Sequence, residues 1–118
     1  MKALVLIAHG SKKEKSNQEF RDLVDEIREL NSKKYEKIET SFLEFVEPSI
    51  EDIVKNLATQ NIKSITFYPY FLNSGKHVSV DIPNIVTTLK NTYPDIDFKI
   101  LQHFGLSKRI ASIISEEI

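Results

Sequence analysis

The residues of this chain best suited to metal or acid–base chemistry are its three histidines, each of which follows a predicted strand. His9 comes directly after the first predicted strand, His77 lies in the loop after the third, and His103 follows the fourth. Glu44 and Glu47 come just past the second. Two imidazoles and a carboxylate suit a first-row divalent metal such as cobalt, nickel, iron or zinc. Imidazole can also accept a proton near neutral pH.

Four predicted strands alternate with four predicted helices and must position these side chains. The strands are residues 3–8, 37–42, 64–70 and 95–101. The first is apolar throughout and the third nearly so, which is typical of strands covered on both faces. The second and fourth alternate apolar with polar residues and are expected at the edges.

Each predicted helix begins at a capping residue and continues with apolar residues at helical spacing. Ser16 and Glu19 have the spacing of a capping box and open the first helix. The second opens at Pro48-Ser49, the third at Asp81 and the fourth at Ser107. The positions expected to face the core are Phe20, Leu23, Val24, Ile27 and Leu30; Ile50, Ile53, Val54 and Leu57; Ile82, Ile85, Val86 and Leu89; and Ile110, Ile113 and Ile114.

This alternation predicts an α/β three-layer sandwich, with a four-stranded parallel sheet of order 2-1-3-4 and helices on both faces. The arrangement is a flavodoxin-like half-unit. No linker divides the chain, so residues 1–118 are expected to form a single domain. Ligands of open parallel sheets bind at the carboxyl ends of the strands where the order reverses. His9 and His77 should flank that point, and Glu44 should reach it from the neighbouring strand.

Composition excludes several classes of protein. With 16 basic and 17 acidic residues the net charge is −1, which argues against a nucleic-acid partner or an anionic membrane surface as a general target. The absence of cysteine excludes disulfides, thiolate metal sites and cysteine nucleophiles. The apolar run at 3–8 is too short for a signal-peptide core or a membrane span, so a cytoplasmic location is expected.

The loops at the same edge carry residues that suit a bound ligand. Gly10, Ser11 and Gly75 would let a ligand approach the backbone closely, although a tight turn explains Gly10 equally well. Lys12 and Lys76 would attract a polyanion, although lysines in loops are commonly just solvated. Neither a dinucleotide-binding glycine motif nor a phosphate-binding loop is present in the sequence.

An ordered set of motifs along the whole chain resembles the sirohydrochlorin chelatase family, and most closely its short single-unit form. The motifs are Ala8-His9-Gly10-Ser11 with Asn17; Phe42-Leu43-Glu44-Phe45 with Glu47-Pro48-Ser49; Pro69-Tyr70-Phe71-Leu72; and Gly75-Lys76-His77-Val78 with Asp81-Ile82-Pro83. The resemblance implies insertion of Co²⁺, or of Fe²⁺ or Ni²⁺, into sirohydrochlorin in cobalamin or siroheme biosynthesis. It implies that His9 and His77 handle the metal, that Glu44 is the carboxylate of the site, and that His103 has no assigned role.

The resemblance also implies that the divalent metal is a substrate and not a permanently bound cofactor. Longer relatives fuse two copies of this unit, so a chain of one unit is expected to form the equivalent cleft as a symmetric homodimer. A carrier that binds a metal or tetrapyrrole without turnover is the alternative function. An iron oxygenase would share the two-histidine, one-carboxylate ligand set, but the sequence has no cosubstrate motif.

Overall fold

Strands and helices alternate in the computed structural model, which describes residues 1–31 and 33–118. The strands are β1 (Lys2–Ala8), β2 (Lys37–Phe42), β3 (Ser64–Pro69) and β4 (Asp97–Ile100). The helices are α1 (Glu14–Asn31), α2 (Ile50–Ala58), α3 (Ile82–Thr92) and α4 (Ile110–Glu117). A π-helical turn, His77–Asp81, runs into α3, and a 3₁₀ turn, Phe104–Leu106, precedes α4.

The sheet is parallel and its strand order is β2-β1-β3-β4, which confirms the predicted topology. Five consecutive residues of β1, from Ala3 to Ile7, are buried. Helices cover this central strand on both faces, which is why it has no polar alternation. The switch in strand order falls between β1 and β3, and the loops that follow these two strands share one edge of the sheet.

Two hydrophobic cores lie on opposite faces of the sheet. On one face α2 and α3 pack against alternate residues of β1 and β3, including Val5, Ile7 and Phe67. On the other face α1 packs through Phe20 and Val24. Helices therefore lie on both faces, as predicted. Within the described residues, none of these helices is both long enough and apolar enough to cross a bilayer.

The first helix begins earlier than its capping-box pattern predicts. It starts at Glu14, and the Ser16 amide already donates to the Lys13 carbonyl at 3.0 Å. Asn17, which the pattern would leave near the helix start, is buried. Leu30 was expected in the core but is 82% exposed, because it lies at the margin of the apolar stripe in the last turn.

Other element boundaries also differ from the sequence-based expectation. β3 ends at Pro69 and β4 is confined to 97–100. Asp81 stands at the N-cap position of α3, as predicted, but its side chain makes no capping hydrogen bond; the residue also ends the π-helical turn that leads into α3. Ser107 does not cap α4 either, since its hydroxyl accepts the Arg109 amide at 3.3 Å and the helix begins at Ile110. The apolar face of α4 lies in solvent, with Ile113 47% and Ile114 52% exposed.

Gly10, in the loop after β1, and Gly75, in the loop after β3, should respond differently to substitution by alanine. Gly10 has φ +92°, and a Cβ there would lie 2.0 Å from the Glu44 carbonyl oxygen, whereas a Cβ on Gly75 would meet nothing within 4 Å. We expect Gly10→Ala to lower the free energy of unfolding by more than about 1 kcal/mol. Gly75→Ala should change it by less than about 0.5 kcal/mol. Urea denaturation of both variants measures this, and equal losses would contradict the assigned backbone constraint.

Candidate metal-handling site

The two histidines predicted to flank the switch point lie against each other at the carboxyl ends of the central strands. His9 follows β1, and His77 begins the π-helical turn after β3. Their ring centroids are 4.7 Å apart with the ring planes inclined by 58°. The fold thus joins two imidazoles that are 68 positions apart in the sequence.

Both ring nitrogens of His9 face oxygen atoms. Nδ1 lies 3.0 Å from the Gly10 carbonyl oxygen, and Nε2 lies 3.2 Å from Oε2 of Glu44. A carbonyl only accepts, so Nδ1 carries the hydrogen and neutral His9 keeps a lone pair on Nε2. A proton on Nε2 joins the ring to the Glu44 carboxylate as an ion pair, and in the neutral ring a metal ion can take the place of that proton between the two atoms.

The spacing of these two atoms suits a shared metal ion. Two ligand atoms bound at right angles, each about 2.1 Å from one ion, lie about 3 Å apart. The observed separation between Nε2 of His9 and Oε2 of Glu44 is 3.2 Å. Both side chains are partly exposed, at 40% and 50%, so an ion can enter and leave from solvent.

Asp81 fixes the protonation of His77. Nδ1 of His77 lies 2.8 Å from Oδ2 of Asp81. Because the carboxylate accepts, Nδ1 carries the hydrogen and Nε2 keeps its lone pair for a metal or a proton. Sequence reasoning treated Asp81 as a helix cap and missed this role. The signal that could have indicated this role is the four-residue spacing between His77 and Asp81, which brings two side chains together in a helical segment.

Main-chain hydrogen bonds bring Glu44 to His9. The ladder between β1 and β2 continues past both strands, because the Leu43 amide donates to the Ala8 carbonyl at 3.0 Å. The Glu44 amide then donates to the His9 carbonyl at 2.9 Å. The placement of the carboxylate therefore follows from strand register, and its side chain needs only to turn toward the imidazole.

Asn17 holds the other side of the loop after β1. Its carboxamide oxygen accepts the Ser11 amide at 2.9 Å, and its Nδ2 donates to the Ser11 carbonyl at 2.8 Å. The same Nδ2 donates to Glu14 at 3.2 Å, and the residue is only 3% exposed. The Glu14 carboxylate also accepts a hydrogen bond from Arg21. This bond is the main reason that the pKa of Glu14 lies below its usual value, and the bond from Asn17 lowers it further. Ser11 is thus tied to the start of α1.

Phe45 presents an exposed aromatic ring beside His9. Its φ is +68°, a left-handed conformation that is unfavourable for a residue with a side chain. The ring is 6.0 Å from that of His9 in an edge-on arrangement, and the residue is 59% exposed. Nζ of Lys12 lies 5.4 Å from its centroid. The sequence analysis assigns Phe45 no role, because nothing in the residues 42–45 indicates that this position has a positive φ.

Two shallow depressions flank the histidine pair. One, of about 350 Å³, is lined by Glu44, His77 and Asp81 together with Leu43, Asn84 and Ile85. The other, of about 240 Å³, is lined by His9, Gly10 and Ser11 among others. In residues 1–31 and 33–118, no three His, Asp or Glu side chains lie together in an arrangement that could hold a metal ion. The close donor contact is the pair His9 and Glu44, with the ring of His77 beside it.

The other residues singled out from the sequence have different settings. Lys12, Gly75 and Lys76 are exposed at the same edge, and Lys76 immediately precedes the π-helical turn. His103 is 6% exposed, and its carbonyl accepts the Leu106 amide at 3.0 Å. It is therefore packed into the start of the 3₁₀ turn.

Comparison with known proteins identifies the family. The sequence model of the CbiX family matches residues 3–118. The chain belongs to the CbiX family. The sirohydrochlorin cobaltochelatase of Sulfurisphaera tokodaii is 30% identical to it over 118 residues, which cover 100% of this chain and 92% of that protein. The sirohydrochlorin cobaltochelatase of Methanocaldococcus jannaschii is 33% identical over 93 residues, covering 79% of this chain and 64% of that protein.

Solved structures share the fold. The CbiX protein from Marinobacter aquaeolei superposes with a TM-score of 0.86 at 24% identity, covering 99% of this chain and 93% of that one. The sirohydrochlorin chelatase SirB from Bacillus subtilis, solved with cobalt, gives a TM-score of 0.87 at 24% identity. That match covers 98% of this chain and 48% of the SirB chain, so the fold described above corresponds to about half of SirB.

The Asp81–His77 contact predicts that Asp81→Ala weakens Co²⁺ binding by about 10- to 100-fold, because His77 loses the partner that fixes its tautomer. Isothermal titration calorimetry with CoCl₂ measures the change. Asp95→Ala is the matched control, since Asp95 is an exposed carboxylate at the opposite end of the sheet. Equal affinities in the two variants would show that Asp81 does not position His77 for the metal.

Proposed function

We propose that this chain is a chelatase that inserts a divalent metal into sirohydrochlorin, with Co²⁺ as the first candidate and Fe²⁺ or Ni²⁺ as further ones. The observation that carries the proposal is the 3.2 Å approach of the His9 Nε2 to the Glu44 Oε2 beside His77. Membership of the CbiX family and relatives named sirohydrochlorin cobaltochelatase support the same substrate and reaction.

The donor set suits a metal that is a substrate. Structural metal sites close every coordination position with protein ligands, which holds the ion permanently. Here His9 and Glu44 approach each other at an exposed edge with His77 beside them, so an ion bound by this pair would keep positions open for exchange. The ion can therefore pass from the protein ligands to the ring nitrogens, and no permanently bound cofactor is required.

Insertion also requires two proton acceptors. As the metal forms four bonds to the ring nitrogens, two pyrrole N–H bonds break and two protons leave. Once the metal has left them, the His9 and His77 imidazoles become free to accept those protons. Asp81, 2.8 Å from Nδ1 of His77, stabilises the imidazolium that forms there.

The surroundings of the donor set suit a flat, carboxylate-rich macrocycle. Phe45 supplies an exposed aromatic face, and Lys12 lies over it. Lys12 and Lys76 would pair with the substrate carboxylates, while the backbone at Gly10, Ser11 and Gly75 would allow close approach. These lysines are exposed, so their attraction for the substrate should weaken as salt concentration rises.

The depressions of about 350 and 240 Å³ are open and do not enclose a ligand of tetrapyrrole size. We propose that residues 1–118 act as one chelatase-like unit and that two copies form the complete cleft as a symmetric homodimer. The match to about half of the SirB chain supports this arrangement. A cytoplasmic location fits the absence of cysteine.

Loss of either imidazole should remove most of the activity. We expect His9→Ala and His77→Ala each to lower kcat for cobalt insertion by about 10²- to 10⁴-fold, because each removes a metal donor and a proton acceptor. Anaerobic absorbance assays with sirohydrochlorin and Co²⁺, corrected for the uncatalysed rate, measure this. Circular dichroism and thermal unfolding are the fold controls, since both side chains are partly exposed.

Two outcomes of that assay would contradict the proposal. Near wild-type turnover in both variants would exclude the histidines from the reaction. A wild-type reaction that stops after one metal per protein chain would indicate a carrier that binds stoichiometrically. Repeating the assay with Fe²⁺ and Ni²⁺ shows which of the three metals the protein inserts fastest.

The lysines should affect substrate binding more than the chemical step. We expect Lys12→Met and Lys76→Met each to raise KM for sirohydrochlorin by about 3- to 10-fold, with a smaller change in kcat. Lys63→Met is the control, because Lys63 is exposed at the opposite end of the sheet. If all three variants have the same KM, or if KM in the wild type does not depend on salt, the lysines do not contact the substrate.

A further inference from the structure

We propose that Asn17 is a positioning residue that holds the His9 imidazole in place for the metal. It acts through one peptide group, that between Gly10 and Ser11, and not through contact with the ion. The proposal rests on the metal-handling role of His9 in the proposed function. The hydrogen bonds on which it depends are present in the protein without metal, so they can be tested separately from the reaction.

One peptide group connects Asn17 to His9. The Gly10 carbonyl oxygen lies 3.0 Å from Nδ1 of His9. The Ser11 amide donates to Oδ1 of Asn17 at 2.9 Å. That carbonyl and that amide belong to the same planar trans peptide group and therefore point in opposite directions. Any rotation of the group disturbs both hydrogen bonds at once, so fixing its amide side also fixes the carbonyl that holds His9.

This peptide group needs an external constraint because Gly10 precedes it. Glycine lacks the side chain that restricts the neighbouring dihedral angles of other residues. No other residue fits the position, since φ is +92° and a Cβ would lie 2.0 Å from the Glu44 carbonyl oxygen. The close approach of the two loops thus requires the residue that restricts the peptide group least. A hydrogen bond from another element, α1, supplies the restriction.

Asn17 is a firm anchor for that hydrogen bond. The residue is 3% exposed, and its Nδ2 donates to the Ser11 carbonyl at 2.8 Å and to Oε1 of Glu14 at 3.2 Å. Both hydrogens of Nδ2 therefore have acceptors while Oδ1 has a donor. A flipped carboxamide would set Nδ2 against the Ser11 N–H and Oδ1 against two oxygen atoms, so the partners determine its orientation.

The exposed donor pair depends on this anchor. The side chains of His9 and Glu44 are 40% and 50% exposed, so packing alone does not hold the ring with Nε2 at 3.2 Å from Oε2. The hydrogen bond from Nδ1 to the Gly10 carbonyl supplies that restraint. Loss of the outer hydrogen-bond partner of a metal-binding histidine typically weakens metal binding by about 10- to 100-fold. Because Asn17 acts one step further out, we expect about 10-fold, the lower end of that range.

Nuclear magnetic resonance of the ring hydrogens tests the first step in the metal-free protein. At about pH 5 an imidazole carries hydrogens on both nitrogens, so an Nδ1–H is present whichever form the neutral ring takes. In the wild type, the hydrogen bond to the Gly10 carbonyl should protect the His9 Nδ1–H from exchange with water and give a resolved proton–nitrogen correlation. The signal is assigned by its absence from His9→Ala.

Two substitutions remove the carboxamide. Asn17→Ala deletes it, and Asn17→Leu replaces it with an apolar group of nearly the same shape, which avoids a cavity in this buried position. Each leaves the Ser11 amide without its acceptor. Each should therefore make the His9 Nδ1–H exchange at least about 10-fold faster or lose its signal.

Two control variants leave the Asn17–Ser11 hydrogen bonds intact. Glu14→Ala removes only the outer partner of Nδ2, at an exposed position. Val24→Ala removes buried apolar volume from the same helix and lowers stability without changing the loop after β1. Both should keep the wild-type signal. Thermal unfolding of all four variants shows whether stability alone accounts for any change.

Calorimetric titration with CoCl₂ tests the second step. Asn17→Ala and Asn17→Leu should each raise the Kd for Co²⁺ by about 10-fold, because the His9 ring is no longer held toward Glu44. Glu14→Ala and Val24→Ala should change it by no more than about 2-fold, since neither substitution touches the hydrogen bonds that hold His9.

Three results would overturn the proposal. One is a wild-type His9 Nδ1–H that exchanges as fast as free imidazole, which can be observed whether or not any variant folds. The others are a wild-type signal in the Asn17 variants, or a loss of Co²⁺ affinity no larger than that in Val24→Ala. A wild type that inserts cobalt with an unprotected Nδ1–H would overturn the role of Asn17 and leave the chelatase proposal intact. A protected signal that Asn17→Ala abolishes, in a protein without turnover, would do the reverse.

Discussion

The approach of the His9 imidazole to the Glu44 carboxylate, at 3.2 Å between Nε2 and Oε2, is the interaction around which the surrounding loops are organised. It has little value for folding, because an ion pair this exposed contributes about 0–1 kcal/mol at most. With Nδ1 committed to the Gly10 carbonyl, either a proton on Nε2 or a metal ion can join the two facing atoms. The geometry of this weak ion pair is therefore also that of the two metal ligands in the proposed function.

Rigid backbone features hold this exposed pair in place. The positive φ of Gly10 lets the loop after β1 pass within contact distance of the Glu44 carbonyl, where any Cβ would collide. The buried Asn17 carboxamide makes hydrogen bonds on both sides of Ser11, and leaving such a group unpaired would cost about 1–3 kcal/mol. The stability of the site thus lies in its supporting loops, while the donor atoms remain accessible.

Much of the fold and part of the site could be predicted from the sequence. The apolar run at 3–8 and the nearly apolar third strand predict the central positions, and the alternating second and fourth strands predict the edges. This topology brings His9 and His77 to the same edge. Asp81 stands before α3 as predicted, but its contact with His77 was missed, because an aspartate before a helix is explained equally well as a cap. The conformation of Phe45 and the true start of α1 depend on tertiary contacts, which local spacing does not report.

The misassignment of α4 has a physical lesson of its own, because helical periodicity identifies an apolar face but not the surface that covers it. Ile110, Ile113 and Ile114 recur at helical spacing, yet Ile113 and Ile114 are about half exposed in the single chain, at 47% and 52%. The 3₁₀ turn before α4 is held against the loop after β3, because the Gly105 amide donates to the Phe71 carbonyl at 2.9 Å. The direction in which α4 leaves the sheet therefore depends on a contact between distant parts of the chain, which the spacing of its isoleucines does not report.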